Sequence, residues 1–307
     1  MEGFLLINLK LTRFSMFAWG VLAYNILVIL WGALVRASGS GAGCGEHFPL
    51  CNGLSIPDLT QRATAIEFIH RMMSGMVLIL VIIYFVWSRR VFSKGHRVRL
   101  GVFLVVVFTG FEALIGAGLV VFGLTAYNTS EIRALVVALH LTNTLLLTGA
   151  LTLSAWWISG GSGPRWREAR PVKWLLIASL LAMLIISAMG AVTALSDTLF
   201  PASSLDEGFH QDIDPSAHIL VKLRVIHPVL AILFTMLIVI TTWLVRMRSH
   251  NLFLRRLAAM TLVMYMAQIG VGVINVILLA PIWMQITHLL VTKLLWITMV
   301  LMANEYK

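Results

Sequence analysis

Eight apolar runs dominate this 307-residue sequence, and each is close to or longer than the run of about 20 residues that crosses a bilayer as a helix. They fall near 16–35, 64–87, 100–122, 134–157, 173–195, 219–245, 256–279 and 282–303. Only 12% of the residues are charged and 59% are hydrophobic, with a mean hydropathy of +0.92. A soluble domain carries about 25% charged residues, so the solvent for most of this chain is lipid. The formal net charge of +10 does not point to nucleic acid, because the basic residues sit in short loops between apolar runs. The first run is span-length and no A-x-A-like cleavage site follows it, so a retained helix is expected there.

Short polar stretches with helix breakers separate the runs: Gly39, Gly41, Gly43 and Gly45; Gly160, Gly161, Gly163 and Pro164; Pro201; Pro281. Eight spans put both termini on one side. Lys and Arg choose the side. Lys10 and Arg13 precede span one. The second loop holds Arg89, Arg90, Lys94, Arg97 and Arg99; the fourth, Arg165, Arg167, Arg170 and Lys173; the sixth, Arg246, Arg248, Arg255 and Arg256. The odd loops are poor in basic residues, and the fifth carries Asp197, Asp206, Glu207, Asp212 and Asp214. The excess predicts cytoplasmic termini in a multi-pass protein of the inner (plasma) membrane. Cys44 and Cys51, the two cysteines, then share an outer loop in an oxidising compartment, where one local disulfide is reasonable.

The chain reads as duplicated. ILWGALVRASGSG at the end of span one resembles ISAMGAVTALSDT at the end of span five. FIHRMMSGMVLIL pairs with RVIHPVLAILFTM, FEALIGAGLVV with AQIGVGVINVI, and HLTNTLLLTG with HLLVTKLLWI. The order of all four matches suggests parallel halves, 1–160 and 161–307, related by an axis along the membrane normal. The expected fold is all-α: a polytopic membrane protein of two pseudo-symmetric four-helix bundles.

Nine histidines are present. His47, His210 and His218 fall in or beside outer loops, and His96 and His250 in inner ones, where a solvated side chain is the ordinary reading. His70, His140, His227 and His288 lie within spans two, four, six and eight, each about 10 Å below the outer boundary. Ionisable residues inside a membrane are costly and usually mark function. Zinc wants four ligands and a supporting shell, whereas heme iron needs two axial ligands and the porphyrin fills apolar space between helices. One heme-like site per half is therefore expected. Ser74, Gly75, Gly116, Gly118, Gly270 and Gly272 are small enough for a flat macrocycle to approach the backbone, or serve ordinary helix packing.

The halves differ chemically. Glu67 precedes His70 by three residues on one helical face, while Arg224 holds that place before His227. An acid there suits proton movement near a reacting carbon, or is a solvated helix cap. An Arg suits a heme propionate, or snorkels to the surface. Glu112 and Lys293 lie within spans three and eight: Glu112 serves a proton path or hydrogen-bonds as a neutral acid, and Lys293 pairs with Glu112 or a carbonyl. Pro228 is expected to kink span six.

The sequence resembles the heme A synthase family on four features: GALVRASGSGAGCGEHFPLCNG at 32–53, EFIHR at 67–71, the four span histidines, and the duplicated eight-helix layout. The resemblance implies conversion of the C8 methyl of heme O to a formyl group, by two hydroxylations and loss of water, to supply heme A to terminal oxidases. It implies that His70 and His140 hold heme O with Glu67 beside the reacting methyl. It further implies that His227 and His288 ligate a heme b, with Arg224 nearby, that passes electrons to the first site. Cys44 and Cys51 match the family's outer-loop pair, structural or redox-active. Implied partners, besides heme O and the lipid bilayer, are an electron donor the sequence does not name, a heme O synthase, oxidase-assembly proteins and further copies of the chain. Three departures stand out: no second cysteine pair, Glu112 where Gln is expected (Gln268 occupies the repeat position), and Pro228 in place of an Arg. A di-heme b-type electron-transfer cytochrome would use the same histidines without Glu67, and a parallel-repeat transporter would need no tightly bound heme.

Overall fold

The computed structural model describes residues 12–163 and 171–306. Lys10, Arg165, Arg167 and Arg170 of the basic loops lie outside the described residues. The long helices are α1 (Arg13–Ala37), α2 (Arg62–Val91), α3 (Arg97–Val121), α4 (Glu131–Ile158) and α5 (Pro171–Leu199). After two short helices, α6 (Leu205–Ile213) and α7 (Ile219–Arg224), come α8 (Ile226–Arg248), α9 (Leu252–Ile277) and α10 (Ile282–Glu305). Among the described residues no strand forms beyond an isolated bridge between Cys51 and Leu54. Eight helical segments are long and apolar enough to span a bilayer, α7 and α8 together making one of them. The protein is an all-α, multi-pass membrane protein.

The helices begin where a side chain can satisfy their free N–H groups. Thr12 accepts from the backbone N–H of Ser15 at 3.1 Å, and Ser130 and Asn251 cap α4 and α9 in the same way. Two loop histidines, His96 partly exposed and His218 exposed, also act as caps. The Nδ1 of His96 accepts from the Val98 N–H, and that of His218 from the Leu220 N–H, each at 3.2 Å.

Contacts run α1–α2–α3–α4 and back to α1, and likewise α5–α8–α9–α10 and back to α5. Each ring of four encloses its own apolar core, around Leu22, Tyr84, Val102 and Leu151 in the first and Leu176, Ile238, Leu257 and Met299 in the second. The rings meet along α4, which packs against α5 and α10, and along α1, which packs against α10. Half of the apolar stretch of α4 is buried against 11% of that of α3, so α4 sits at the centre and α3 faces lipid. Arg36, at the end of α1, ties the rings together. Its guanidinium donates to the Ala194 carbonyl at 2.5 Å, to Thr198 Oγ1 at 2.7 Å and to Gln285 Oε1 at 2.7 Å. At the opposite end Trp156 Nε1 donates to Glu305 Oε1 at 2.7 Å.

Span six is broken where Pro228 predicts. A proline has no N–H to offer the carbonyl four residues back and its ring crowds that carbonyl. That carbonyl belongs to Arg224, the last residue of α7, and Thr193 Oγ1 of α5 donates to it instead at 3.1 Å. The fifth loop, read from sequence as polar connection, contains α6, capped by Ser204 on the Glu207 N–H at 3.1 Å.

Candidate functional site

The four span histidines lie about two turns in from the start of their spans, His227 being counted from the start of α7. Each ring rests against a glycine of the preceding span. A Cβ placed on Gly32 would lie 3.0 Å from the His70 ring, one on Gly190 3.0 Å from His227, one on Gly272 3.2 Å from His288, and one on Gly116 4.0 Å from His140. Gly32, Gly190 and Gly272 thus admit an imidazole where a side chain would crowd, while at Gly116 a Cβ would make an ordinary contact. Of the small residues singled out from sequence, Gly116 and Gly272 face a histidine. Gly118 meets Phe122, and a Cβ on Gly75 or Gly270 would meet nothing within 4 Å.

His227 and His288 face one another with ring centroids 6.3 Å apart and planes at 82°. Two metal–imidazole bonds of about 2 Å each, plus the two ring radii, span this separation. Among the described residues no cluster of three or more His, Cys, Asp or Glu side chains could hold a metal ion. The geometry therefore favours a group that needs two axial ligands and brings its own equatorial plane. His227 Nδ1 lies 3.0 Å from the Ile186 carbonyl, which leaves Nε2 free. Gln268 Nε2 lies 2.9 Å from His288 Nε2 and donates to Thr292 Oγ1 at 2.7 Å, leaving His288 Nδ1 buried without a partner.

The first half has its histidines in the matching spans, with different neighbours. Glu112 stands where Gln268 stands, on the helix before the histidine and four residues before the glycine. Its Oε1 lies 3.3 Å from His140 Nδ1, close enough for attraction though not aligned as a hydrogen bond. Asn143 Nδ2 and Thr144 Oγ1 hold the carboxylate at 2.5 and 2.7 Å. His70 has no such brace: its Nδ1 is buried with no hydrogen-bond partner.

Glu67 is not a solvated cap. It is 3% exposed, with Oε2 accepting from the backbone N–H of Cys44 at 2.9 Å and Oε1 from Arg71 Nη2 at 2.6 Å. Arg71 donates in turn to the carbonyls of His47 and Leu50, both at 2.5 Å. Thr64 donates to the Gly43 carbonyl at 2.7 Å, and a Cβ on Gly43 would strike the backbone of Ala63 at 2.4 Å. Residues 64, 67 and 71 share one face of α2, so this face grips the loop that the Cys44–Cys51 disulfide closes. The clip sits one turn from His70.

Arg224, the counterpart of Glu67, is also committed to a loop. Its Nε donates to Asp212 at 2.5 Å and its Nη2 to the Gly208 carbonyl at 3.0 Å, with Asp197 at 3.9 Å. Sequence reasoning missed Arg36 as a tie between the halves. Lys293 is fully buried, its Nζ has no hydrogen-bond partner, and the carboxylate of Glu112 across the interface acts on it electrostatically.

Comparison with known proteins agrees with this architecture. The family model for cytochrome oxidase assembly protein matches residues 15–300. Chains named protoheme IX farnesyltransferase from two strains of Thermus thermophilus are 47% identical over 294 residues, which is 96% of this chain but 48% of theirs. The chain thus spans about half the length of these relatives. A heme A synthase of Exiguobacterium sibiricum is 33% identical over 60% of this chain and 59% of its own, and one of Shouchella clausii is 44% identical over 32% of this chain and 33% of its own. With the match running through all eight spans and all four histidines, this chain belongs to the cytochrome oxidase assembly protein family.

Proposed function

We propose that the chain is a heme A synthase, oxidising the C8 methyl of heme O to a formyl group by successive hydroxylations. His70 and His140 hold the substrate, and His227 and His288 hold a heme b that supplies electrons. The observation that carries the reading is the facing, glycine-backed pair His227 and His288 at 6.3 Å, with His70 and His140 in the matching spans of the first half. Relatives named heme A synthase support the choice of reaction.

A bound heme supplies redox-active iron and a flat apolar ring; the rest is done by the chain. The Ile186 carbonyl fixes the tautomer of His227 as an N–H donor at Nδ1, and the Glu112 carboxylate lies 3.3 Å from His140 Nδ1. Glu67 and Arg71 hold the disulfide-closed loop one turn from His70, which limits the access of water to the first site. In this reading Glu67 acts near the reacting methyl, and Arg224 orders the acidic loop at the mouth of the second site, within reach of a propionate.

The orientation follows from the basic loops. Arg89, Arg90, Lys94, Arg97 and Arg99 face the cytoplasm, both termini lie on that side of the plasma membrane, and the cysteine loop faces outward. A protoheme prenyltransferase is the proposed supplier of heme O, in keeping with the Thermus chains of that name that contain a region like this one.

The test is expression in a host that makes heme O but not heme A, with the extracted hemes separated by chromatography and weighed by mass spectrometry. Heme A is expected. A purified protein that carries heme in both halves but yields no heme A is instead a di-heme electron-transfer cytochrome.

A further inference from the structure

Arg133 differs from Arg71 and Arg224 in having no acid. It lies in the first turn of α4, is 4% exposed, and its Nη1 donates to the carbonyls of Ala126 and Asn128 in the third loop, both at 2.7 Å. The other edge of the guanidinium is left over, with Nε buried and without a hydrogen-bond partner. Arg71 has Glu67 at 2.6 Å and Arg224 has Asp212 at 2.5 Å, whereas among the described residues no carboxylate pairs with Arg133. Arg36 adds to the imbalance. It is near enough for the two guanidiniums to repel one another, and the carboxylate that acts on it, Asp197, is shared with Arg224. Arg36, Arg133 and Arg224 thus have two carboxylates between them, Asp197 and Asp212, and Arg133 is the cation left over. A buried cation without a counter-charge is costly, and two carbonyls offset only part of that cost.

The position of Arg133 says which anion it suits. It precedes His140 by seven residues, so the two share one face of α4, about 10 Å apart along the axis. Helical side chains lean toward the start of their helix, so the His140 ring leans toward Arg133. Arg36 in turn lies one turn beyond Gly32, against which the His70 ring rests. Each first-half histidine therefore has an arginine beyond it, at the loop end of the span. The repeat position of Arg133 in the second half is Pro281, so this arginine belongs to the first half alone.

We infer that Arg133 holds a carboxylate of the first-half heme, presenting its Nε edge to a propionate. The two propionates of a heme lie on one edge of the ring, and the C8 methyl shares a pyrrole with one of them. Fixing that propionate at the loop end puts the reacting methyl toward the end of α2 that carries Glu67. The prenyl chain of heme O, on the opposite edge, then runs into the apolar middle of the membrane. Arg133 binds and orients the substrate, and Arg36 adds positive potential beside it. The inference rests on the reading that His70 and His140 hold heme O.

The experiment takes full-length protein from a host that makes heme b but no heme O. It is titrated with heme O and with heme O dimethyl ester, in which both propionates are capped, and uptake is read from the extracted hemes. The parent should bind heme O about tenfold more tightly than the ester. Arg133→Gln should weaken heme O and leave the ester nearly unchanged, so that the preference disappears. Arg133→Lys keeps the charge without the planar fork and should fall between. A residue that only braces the third loop would change both ligands alike and preserve their ratio. The unchanged spectrum of the second-half heme reports that a variant has folded; where Arg133→Gln does not fold, Arg133→Lys and the preference of the parent carry the test. A parent that binds acid and ester equally, or a variant whose preference is undiminished, overturns the inference while the heme reading stands. A parent that takes up neither ligand beyond its second-half heme overturns both.

Discussion

The carboxylate of Glu67 accepts a hydrogen bond from the backbone N–H of Cys44 at 2.9 Å, so an acid on α2 is joined to the residue that closes the neighbouring loop. Its other oxygen pairs with Arg71, whose side chain is 8% exposed against 4% for that of the acid. Removing one member of a buried pair leaves the other charge without compensation, at a cost of about 3–5 kcal/mol. Glu67→Ala is therefore expected to lower the melting temperature in detergent, and to let a thiol reductant reach Cys44–Cys51 sooner than in the parent. Glu67→Gln keeps an acceptor for Cys44 but loses the ion pair, so it should fall between the two. Equal stability of the parent and Glu67→Gln would mean that the ion pair adds nothing.

Lys293, fully buried, and Glu112, partly buried, come from different halves, and the carboxylate acts electrostatically on the ammonium. An interior lysine with no hydrogen bond is a liability by itself, and an apolar replacement of similar volume commonly stabilises. The nearby carboxylate offsets part of that liability. Lys293→Met should therefore stabilise more in a Glu112→Gln background than alone, with a coupling energy of about 1–2 kcal/mol in a double-mutant cycle. Identical effects in both backgrounds would show that the two charges do not interact.

How much of this was legible beforehand depends on whether a feature belongs to one segment or to two. Span positions, the break near Pro228 and the placement of His70, His140, His227 and His288 within spans are properties of single apolar runs, and the structure has them where the sequence indicates. The exchange of Glu112 for Gln268 was visible too, because the repeat supplies an internal comparison. The rest concerns contacts between distant segments. Nothing local to Arg36 says that its partners are Ala194, Thr198 and Gln285. Gly32 and Gly190 were two glycines among 23 until the fold laid His70 and His227 on them. The helix α6 escaped notice because it is short and lies in an acidic loop, although Leu205, Phe209 and Ile213 recur every four residues and form one apolar face, exposed in the structure.

The hydroxyl of Thr193 takes the place of the N–H that Pro228 lacks, by donating to the Arg224 carbonyl at 3.1 Å. Thr193→Val should strand that carbonyl and cost about 1–3 kcal/mol. In Pro228→Ala the new backbone N–H can bond the same carbonyl and continue α7 into α8, so there the cost of Thr193→Val should shrink to near zero. Straightening the helix also moves His227 relative to His288, and Pro228→Ala is expected to weaken heme retention in the second half, read from the absorption spectrum. A Thr193→Val penalty that is unchanged in the Pro228→Ala background would refute this account of the kink.

Two glycine-to-alanine substitutions make opposite predictions from the same chemistry. Alanine is favoured over glycine inside a helix by about 0.5–1 kcal/mol, because glycine loses more freedom on folding. At Gly20 an added Cβ meets nothing within 4 Å, so Gly20→Ala should gain that amount or remain neutral, and heme content should not change. At Gly190 the same methyl would lie 3.0 Å from Cε1 and 3.2 Å from Nδ1 of His227, closer than ordinary van der Waals contact. The ring is held on its other side by the 6.3 Å approach of His288 and in its plane by the Ile186 carbonyl, so it cannot withdraw without breaking one of these. Gly190→Ala is thus expected to lower heme retention in the second half several-fold while the helix itself stays formed by circular dichroism. Normal heme content in Gly190→Ala would show that the ring moves freely, and that the glycine serves close packing of α5 on α8 rather than the histidine.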